Sequence, residues 1–458
     1  MKIHLIAVGG SAMHNLAIAL KEKGYTVSGS DDEIFEPSRS RLAAHGLLPD
    51  AAGWHPERIH GGLDAVILGM HARADNPELK RAQQLGLKIF SYPEYLYEQC
   101  RDKRRIVIGG SHGKTTITAM VMHILKSCGM DFGYMVGAQI DGFDTMVRLS
   151  KEAKISVFEG DEYLSSPIDP RPKYHLYHPN VALVSGIAWD HINVFPSFEL
   201  YVMQFSRFID LIEPGGTLVY CAADATLSRL VEEKRPPVTV IPYTAHPAVV
   251  RNRQTFLTTG DHMIGLSVFG EHNLQNIGGA LQICRVLGVN DEDFYKHIGS
   301  FRGAARRLQT LAQNEHTHIF LDFAHSPSKL KATIKAVKEQ YPDRLLTACM
   351  ELHTFSSLSE RFLAEYQHSM TDADDAWVYY NPETLKHKQL PMFDRQTVAR
   401  AFDTPNVEVF TDLELLLRKI KETRWKDRNL LVMTSGNFNG TNFGKWELSG
   451  DKLVVVRE

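Results

Sequence analysis

At 458 residues the chain is too long for one comfortable hydrophobic core, and at about 150 residues per domain it predicts roughly three domains. The composition is that of an ordinary globular protein, 43% apolar and 23% charged, and a formal net charge of -3 supplies no basic field for nucleic acid or an anionic membrane. Five scattered cysteines with no C-x-x-C pair, and no apolar run of about eighteen residues, predict a cytoplasmic protein with no disulfide framework, no thiolate zinc site and no membrane span.

The segment from Ile3 to Val8 reads as a buried strand rather than a signal peptide, because its apolar run ends in Gly9-Gly10. A helix from Met13 to Lys23 follows, with Leu16, Ala17, Ile18 and Leu20 apolar. A second strand over 25–28 ends at Ser30-Asp31-Asp32 and completes a βαβ unit. Strands over 65–68 and 88–90 extend this to a small doubly wound domain. The charge run Arg101 to Arg105 marks a boundary, after which Ile106-Val107-Ile108 opens a second α/β unit with strands over 155–158 and 181–184 and a closing helix over 274–287. From Phe301 a third region alternates strands over 318–321, 345–347, 377–379 and 430–433 with helices over 327–340 and 413–423. The expected fold is α/β in three domains: a Rossmann-like domain over 1–102, a P-loop ATPase-like domain over 103–300 and a Rossmann-like domain over 301–458.

Between the strand at Ile106 and the helix through Met120, Ile124 and Leu125 lies Gly110-Ser111-His112-Gly113-Lys114-Thr115-Thr116. A strand, a glycine loop and a helix N-terminus point several backbone N–H groups at one anion. Lys114 supplies charge for the β and γ phosphates and Thr115 a hydroxyl for magnesium. The spacing departs from G-x-x-x-x-G-K-[ST], since Ile108 stands where the first glycine would be; a tight turn of no function is the plain alternative. No Asn-Lys-x-Asp run reads guanine, so ATP is expected. Acidic and imidazole groups follow two strands of the same domain, in Glu159-Gly160-Asp161-Glu162 and in Asp190-His191. Glu162 and His191 are the expected magnesium contacts.

Together with Gly270-Glu271-His272-Asn273-Leu274-Gln275-Asn276 and Gly303-Ala304-Ala305-Arg306-Arg307, these motifs stand in the order of the Mur ligases of bacterial cell-wall synthesis, which the chain resembles over essentially its whole length. The resemblance implies an N-terminal domain for a UDP-sugar, a central domain for ATP and a C-terminal domain for the incoming amine. It implies that Lys114 and the loop amides hold phosphates, that Thr115 and Glu162 hold one Mg2+ and that His191 helps hold a second. It further places Asn273 at adenine, Arg307 at the γ-phosphate, Asp322 at the ribose, His325 beside them, and Gly9, Gly10, Ser11 and Asp31 at the UDP-sugar. Lys114, Glu162, His191 and Arg307 are then the catalytic set. Of the G-x-G-G-x-G-M-S-G loop of alanine-adding members, only the central glycines and Met13 remain.

Within the family, Asp161-Glu162-Tyr163 followed by Asp169, Arg171, Lys173 and Tyr174 looks like the murein peptide ligases, where alanine-adding members carry D-E-S-D. The P-H-R-x-T-R segment of those members is replaced by Leu352-His353-Thr354-Phe355-Ser356-Ser357, without its two arginines. The resemblance thus implies ligation of UDP-N-acetylmuramate to L-alanyl-γ-D-glutamyl-meso-diaminopimelate, with Arg171, Lys173 and Lys329 as candidate cations for this anionic tripeptide. L-alanine is the alternative acceptor. A P-loop kinase or switch and a non-catalytic ATP-binding regulatory homologue are the alternatives of other classes. The stretch Tyr201 to Ser206 has no lysine, so the carbamylated lysine of some members is not expected, and His45, His55 and His60 lack zinc spacing. Phe438-Asn439-Gly440 reads as a turn after a strand.

Overall fold

The computed structural model describes residues 1–260 and 262–454, which divide into two compact units. The first comprises Met1–Ile187, Glu199–Thr244 and Gly279–Phe294; the second comprises Ala188–Phe198, Ala245–Gly278 and the chain from Tyr295 onward.

The first unit holds two parallel arrays. Strands β1 (Lys2–Ile6), β2 (Thr26–Ser30), β3 (Ala65–Leu68) and β4 (Ile89–Ser91) form a parallel sheet in the order β2-β1-β3-β4. The first strand stops before the predicted Val8 because Ala7 turns to φ +65°, and the amides of Ala7 and Val8 both donate to the Ser30 carbonyl. The helix Ser11–Glu22 then buries its apolar side from Met13 to Leu20.

The second array contains β5 (Arg104–Gly109), β6 (Gly133–Met135), β7 (Val147–Arg148), β8 (Ile155–Glu159), then a separate hairpin of β9 (Leu164–Ser166) and β10 (Asp169–Pro172), and finally β11 (Val181–Val184), β12 (Thr217–Cys221) and β13 (Thr239–Tyr243). Its seven-stranded sheet runs β13-β12-β11-β5-β8-β6-β7, with only β7 antiparallel to its neighbour. Ile106, Val107 and Ile108 are all fully buried, as expected of a strand covered on both faces. Helix Lys114–Ser127 packs Ile117, Met120, Val121, Ile124 and Leu125 inward.

In the second unit, β14 (Ala248–Arg251), β15 (Gln254–Thr259) and β16 (His262–Gly265) form an antiparallel sheet absent from the sequence-based expectation. The larger sheet contains β17 (Gln309–Gln313), β18 (His318–Asp322), β19 (Leu345–Leu352), β20 (Asp375–Tyr380), β21 (Val407–Phe410) and β22 (Arg428–Met433), in the order β17-β18-β22-β19-β20-β21. All pairs but β17–β18 are parallel. Alternation along β18 builds two cores: Phe320 packs with Leu330, Ile334 and Met350 on one face, Ile319 and Leu321 with Trp377, Leu416 and Trp425 on the other. Among the described residues no helix is long and apolar enough to cross a membrane.

Candidate functional site

The glycine loop takes its shape from the strand neighbouring its own. β5 and β11 pair in register, Ile108 with Leu183 and Gly109 with Val184, so the loops that leave them meet. Ser185 N donates to Gly109 O at 3.0 Å, Ser111 N to Gly186 O at 3.0 Å, and the Ser185 hydroxyl to His112 O. Gly110 lies at φ +129°, and a Cβ there would stand 2.1 Å from Ser185 Oγ. Gly113 precedes the helix at φ +74°. Gly113, at the N-cap of this helix of 14 residues, has no side chain with which to cap it, which suits an anion arriving from outside the chain.

Two side chains of that first helical turn meet two carboxylates from the end of β8. Lys114 Nζ donates to Glu162 Oε2 at 2.6 Å and to Gly110 O at 2.7 Å. Burial draws the ammonium pKa down, but Glu162, Asp161 and Glu159 outweigh it and hold Lys114 above the ordinary lysine value. Thr115 Oγ1 donates to Glu159 Oε1 at 2.8 Å, while Gly137 N donates to Glu159 Oε2 at 2.6 Å.

Glu162, expected to hold magnesium with Thr115, meets Lys114 and the hydroxyl of Tyr201, and the carboxylate that accepts the Thr115 hydroxyl is Glu159, which was not among the expected residues. The physical reason is register: Ile108 of β5 lies opposite Glu159, so the last residue of β8 already stands at the loop, three residues before Glu162. The missed signal was in the sequence, where Glu159 ends the apolar run Ile155 to Phe158 and opens the acidic run. Hard oxygen donors at Thr115 and Glu159 fit magnesium. Room fits too, since a side chain at Gly137 would put its Cβ 2.9 Å from both Glu159 oxygens.

At the first sheet, Gly9 N donates to Asp31 Oδ2 at 2.7 Å, and a Cβ on Gly9 would stand 2.9 Å from the same oxygen. Burial pushes the Asp31 carboxyl up to about 6, with Asp32 adding to the effect. Gly10 caps the helix that Ser11 opens, and its carbonyl bonds His14 Nδ1 at 3.0 Å. Gly9, Gly10, Ser11 and Asp31 are thus together at one end of this sheet.

The remaining expected residues lie in the second unit. Asp190 is 4% exposed and receives Lys329 Nζ at 3.2 Å, with His325 Nε2 at 3.5 Å. Burial opposes its charge, yet Lys329 and His325 hold Asp190 well below the usual carboxylate range. Burial, then Lys329, lowers the His325 pKa. His191 sits at φ +56°, its amide donating to Asp190 Oδ1 at 2.7 Å. Asp322 accepts Leu308 N and Ala324 N at 2.7 Å each, which orders the turn carrying Arg306 and Arg307. Arg306 Nη2 donates to Thr434 O at 3.1 Å, whereas the Arg307 guanidinium lies 4.5 Å from the centre of the Phe323 ring. Asn273 Nδ2 donates to Phe269 O at 2.8 Å in the first turn of helix Glu271–Val286.

The three candidate acceptor cations are all paired: Arg171 with Asp169 and Glu94, Lys173 with Asp161 at 2.5 Å, and Lys329 with Asp190. In the segment replacing P-H-R-x-T-R, the Ser356 hydroxyl accepts Ile192 N at 3.4 Å, and Thr354 and Ser357 bond to one another. Thr354 Oγ1 accepts Ser357 N at 3.0 Å and donates to Ser357 Oγ at 3.0 Å.

Family models match the chain in three stretches: Mur ligase family, catalytic domain over 2–104, Mur ligase middle domain over 108–284, and Mur ligase, glutamate ligase domain over 306–438. The UDP-N-acetylmuramate–L-alanine ligase of Aquifex aeolicus is 30% identical over 368 residues, covering 78% of each chain. The UDP-N-acetylmuramate–L-alanyl-γ-D-glutamyl-meso-2,6-diaminoheptandioate ligase of Haemophilus influenzae is 25% identical over 455 residues, covering 96% of this chain and 97% of its own. Among solved structures, a murein peptide ligase from Psychrobacter arcticus superposes with a TM-score of 0.68 at 22% identity, covering 96% of this chain and 97% of that one. A UDP-N-acetylmuramate–alanine ligase from Thermotoga maritima superposes with a TM-score of 0.71 at 20% identity, covering 96% of both. At these identities the two structures speak for the fold.

Proposed function

The chain belongs to the Mur ligase family, whose members form amide bonds at the expense of ATP, and on that premise we propose that it joins the carboxylate of UDP-N-acetylmuramate to the amine of L-alanyl-γ-D-glutamyl-meso-diaminopimelate. The observation that carries the choice of acceptor is the turn after β19. Thr354 and Ser357 stand where alanine-adding relatives carry two arginines, and these two residues bond to one another. No guanidinium there grips the carboxylate of a small free amino acid. The near full-length likeness to the Haemophilus ligase, which is named for the tripeptide, points the same way.

A carboxylate is a poor electrophile. Its oxygen attacks the γ-phosphorus of ATP, the bond to the β-γ bridging oxygen breaks, and ADP leaves an acyl phosphate. The acceptor amine then attacks the acyl carbon, and the tetrahedral species expels inorganic phosphate as the nitrogen loses its proton. The loop amides from Gly110 to Thr116 and the Lys114 ammonium hold the phosphates and oppose the charge on the transferring group. Thr115 and Glu159 would hold magnesium, which when bound shields the phosphate oxygens from the incoming carboxylate. In this reading Glu162 serves Lys114. The order of motifs keeps His191 for a second magnesium, Asn273 for adenine, Asp322 for the ribose, Arg307 for the γ-phosphate and His325 beside them. It keeps Gly9, Gly10, Ser11 and Asp31 for the UDP-sugar.

Phosphate release measured with UDP-N-acetylmuramate, ATP and either L-alanine, the dipeptide or the tripeptide decides the acceptor. Turnover is expected with the tripeptide, with a new amide found by mass spectrometry. Brisk turnover with L-alanine and none with tripeptide would assign the other acceptor.

A further inference from the structure

Beyond the loop and its two carboxylates, the first unit contains a third buried group aimed at the same machinery. Tyr201, in helix Phe198–Asp210, is fully buried and donates its hydroxyl proton to Glu162 Oε1 at 3.1 Å. The other oxygen of that carboxylate, Oε2, takes the Lys114 ammonium. The result is a chain from phenol to carboxylate to ammonium to Gly110 O, in which the Glu162 side chain is 1% exposed and that of Lys114 is 14% exposed.

We propose that Tyr201 is a positioning residue for nucleotide binding: by locking one oxygen of Glu162 it fixes the carboxylate that presents Lys114 to the phosphates. An ammonium has three N–H donors. Two are spent on Glu162 and Gly110 O, which aims the third along the one remaining tetrahedral direction. A buried carboxylate that loses one of its donors would rotate toward others or take up a proton, and either change releases the lysine. Because Tyr201 lies 85 residues beyond Thr116, the last residue of the loop motif, only the packing of its helix against the sheet brings it to Glu162. Phe205, one turn further along the same helix, packs edge-on against Tyr201 at 5.1 Å between ring centres and fixes the phenol's direction.

The proposal rests on the reading of Gly110 to Thr116 as the ATP site, and the test separates the two. Calorimetric titration of the full chain with a non-hydrolysable ATP analogue and magnesium is compared for wild type, Tyr201→Phe, Glu162→Gln and the double variant. No binding by wild type would defeat the site reading itself. Given wild-type binding, Tyr201→Phe is expected to weaken it roughly ten-fold, the loss of one hydrogen bond to a buried charge. It should raise the KM for ATP and leave the KM for UDP-N-acetylmuramate unchanged. In the Glu162→Gln background the same substitution should add less than about two-fold, since it acts through Glu162. Equal weakening in both backgrounds, or no weakening in the wild-type background, overturns the proposal. Phenylalanine keeps the ring and its packing; should that variant not fold, 3-fluorotyrosine at 201 alters the donor strength alone, and an unchanged affinity there likewise overturns it.

Discussion

Two glycines of this chain separate the cost of a backbone angle from the cost of a site. Gly24 lies at φ +89° with nothing within 4 Å of where a Cβ would go, whereas Gly110 lies at φ +129° with Ser185 Oγ at 2.1 Å and Ser185 N at 2.8 Å. Gly24→Ala carries only the conformational strain, about 1 kcal/mol, and should leave nucleotide binding intact. Gly110→Ala adds a clash with backbone that cannot rotate away, because Ser185 N is bonded to Gly109 O. A loss of at least about 2 kcal/mol in denaturant unfolding and of nucleotide binding by calorimetry is expected. Retained binding in Gly110→Ala would show that the loop can reshape and that its left-handed glycine is not required. Residues of this kind were legible in the sequence, since glycine next to lysine and threonine after an apolar strand has few other uses. The place of Glu159 at the end of its apolar run was legible too, but its partner and that of Tyr201 were not, because strand register and helix packing, not spacing, supply them.

Elements were read well where apolar runs were long. The strands around Ile106, Val181 and Leu430 and the helix from Pro327 were placed within a few residues, because burial on both faces or on one stripe leaves an unbroken pattern. The sheet of β14 to β16 is not legible in the sequence because its exposed strands carry Val249, Val250 and Met263 outward and give no clean alternation. One element also has a pH response. At the start of β18, His318 lies parallel to Phe320, and Arg344 Nη1 donates to its Nδ1 at 2.8 Å. Burial first, then the charges of Arg344 and Arg253, push its pKa down to about 4 from 6.5. The folded state therefore favours the neutral ring. Its contribution is fully present above pH 6.5 and is lost as pH falls through the window toward 4. A proton titration of His318 by NMR should give a midpoint near 4, and one near 6.5 would contradict the assignment. His318→Gln, which keeps an acceptor for Arg344, should shrink the drop in urea midpoint between pH 7 and pH 4.5.

At the scale of the whole molecule, the order of motifs along the chain identified a family that the three matched stretches confirm, while no motif announced which contacts would gather into each compact unit. That division makes a thermal prediction. Lys114, Thr115, Glu159, Glu162 and Tyr201 all fall in the first unit, so a nucleotide bound there stabilises that unit directly. A ligand at about a hundred times its Kd contributes about 2.7 kcal/mol. Unfolding entropy near 2.1 cal/mol/K per residue converts this to a rise of about 5 °C for a unit of roughly 250 residues melting by itself, against about 3 °C for the entire chain melting at once. Scanning calorimetry with and without the magnesium–ATP analogue measures the shift and shows which transition moves. Lys114→Ala should abolish it whichever cooperative unit melts, because removing the ammonium leaves Glu162 a buried carboxylate that repels the phosphates. A shift that survives Lys114→Ala would mean that the stabilising nucleotide is held elsewhere.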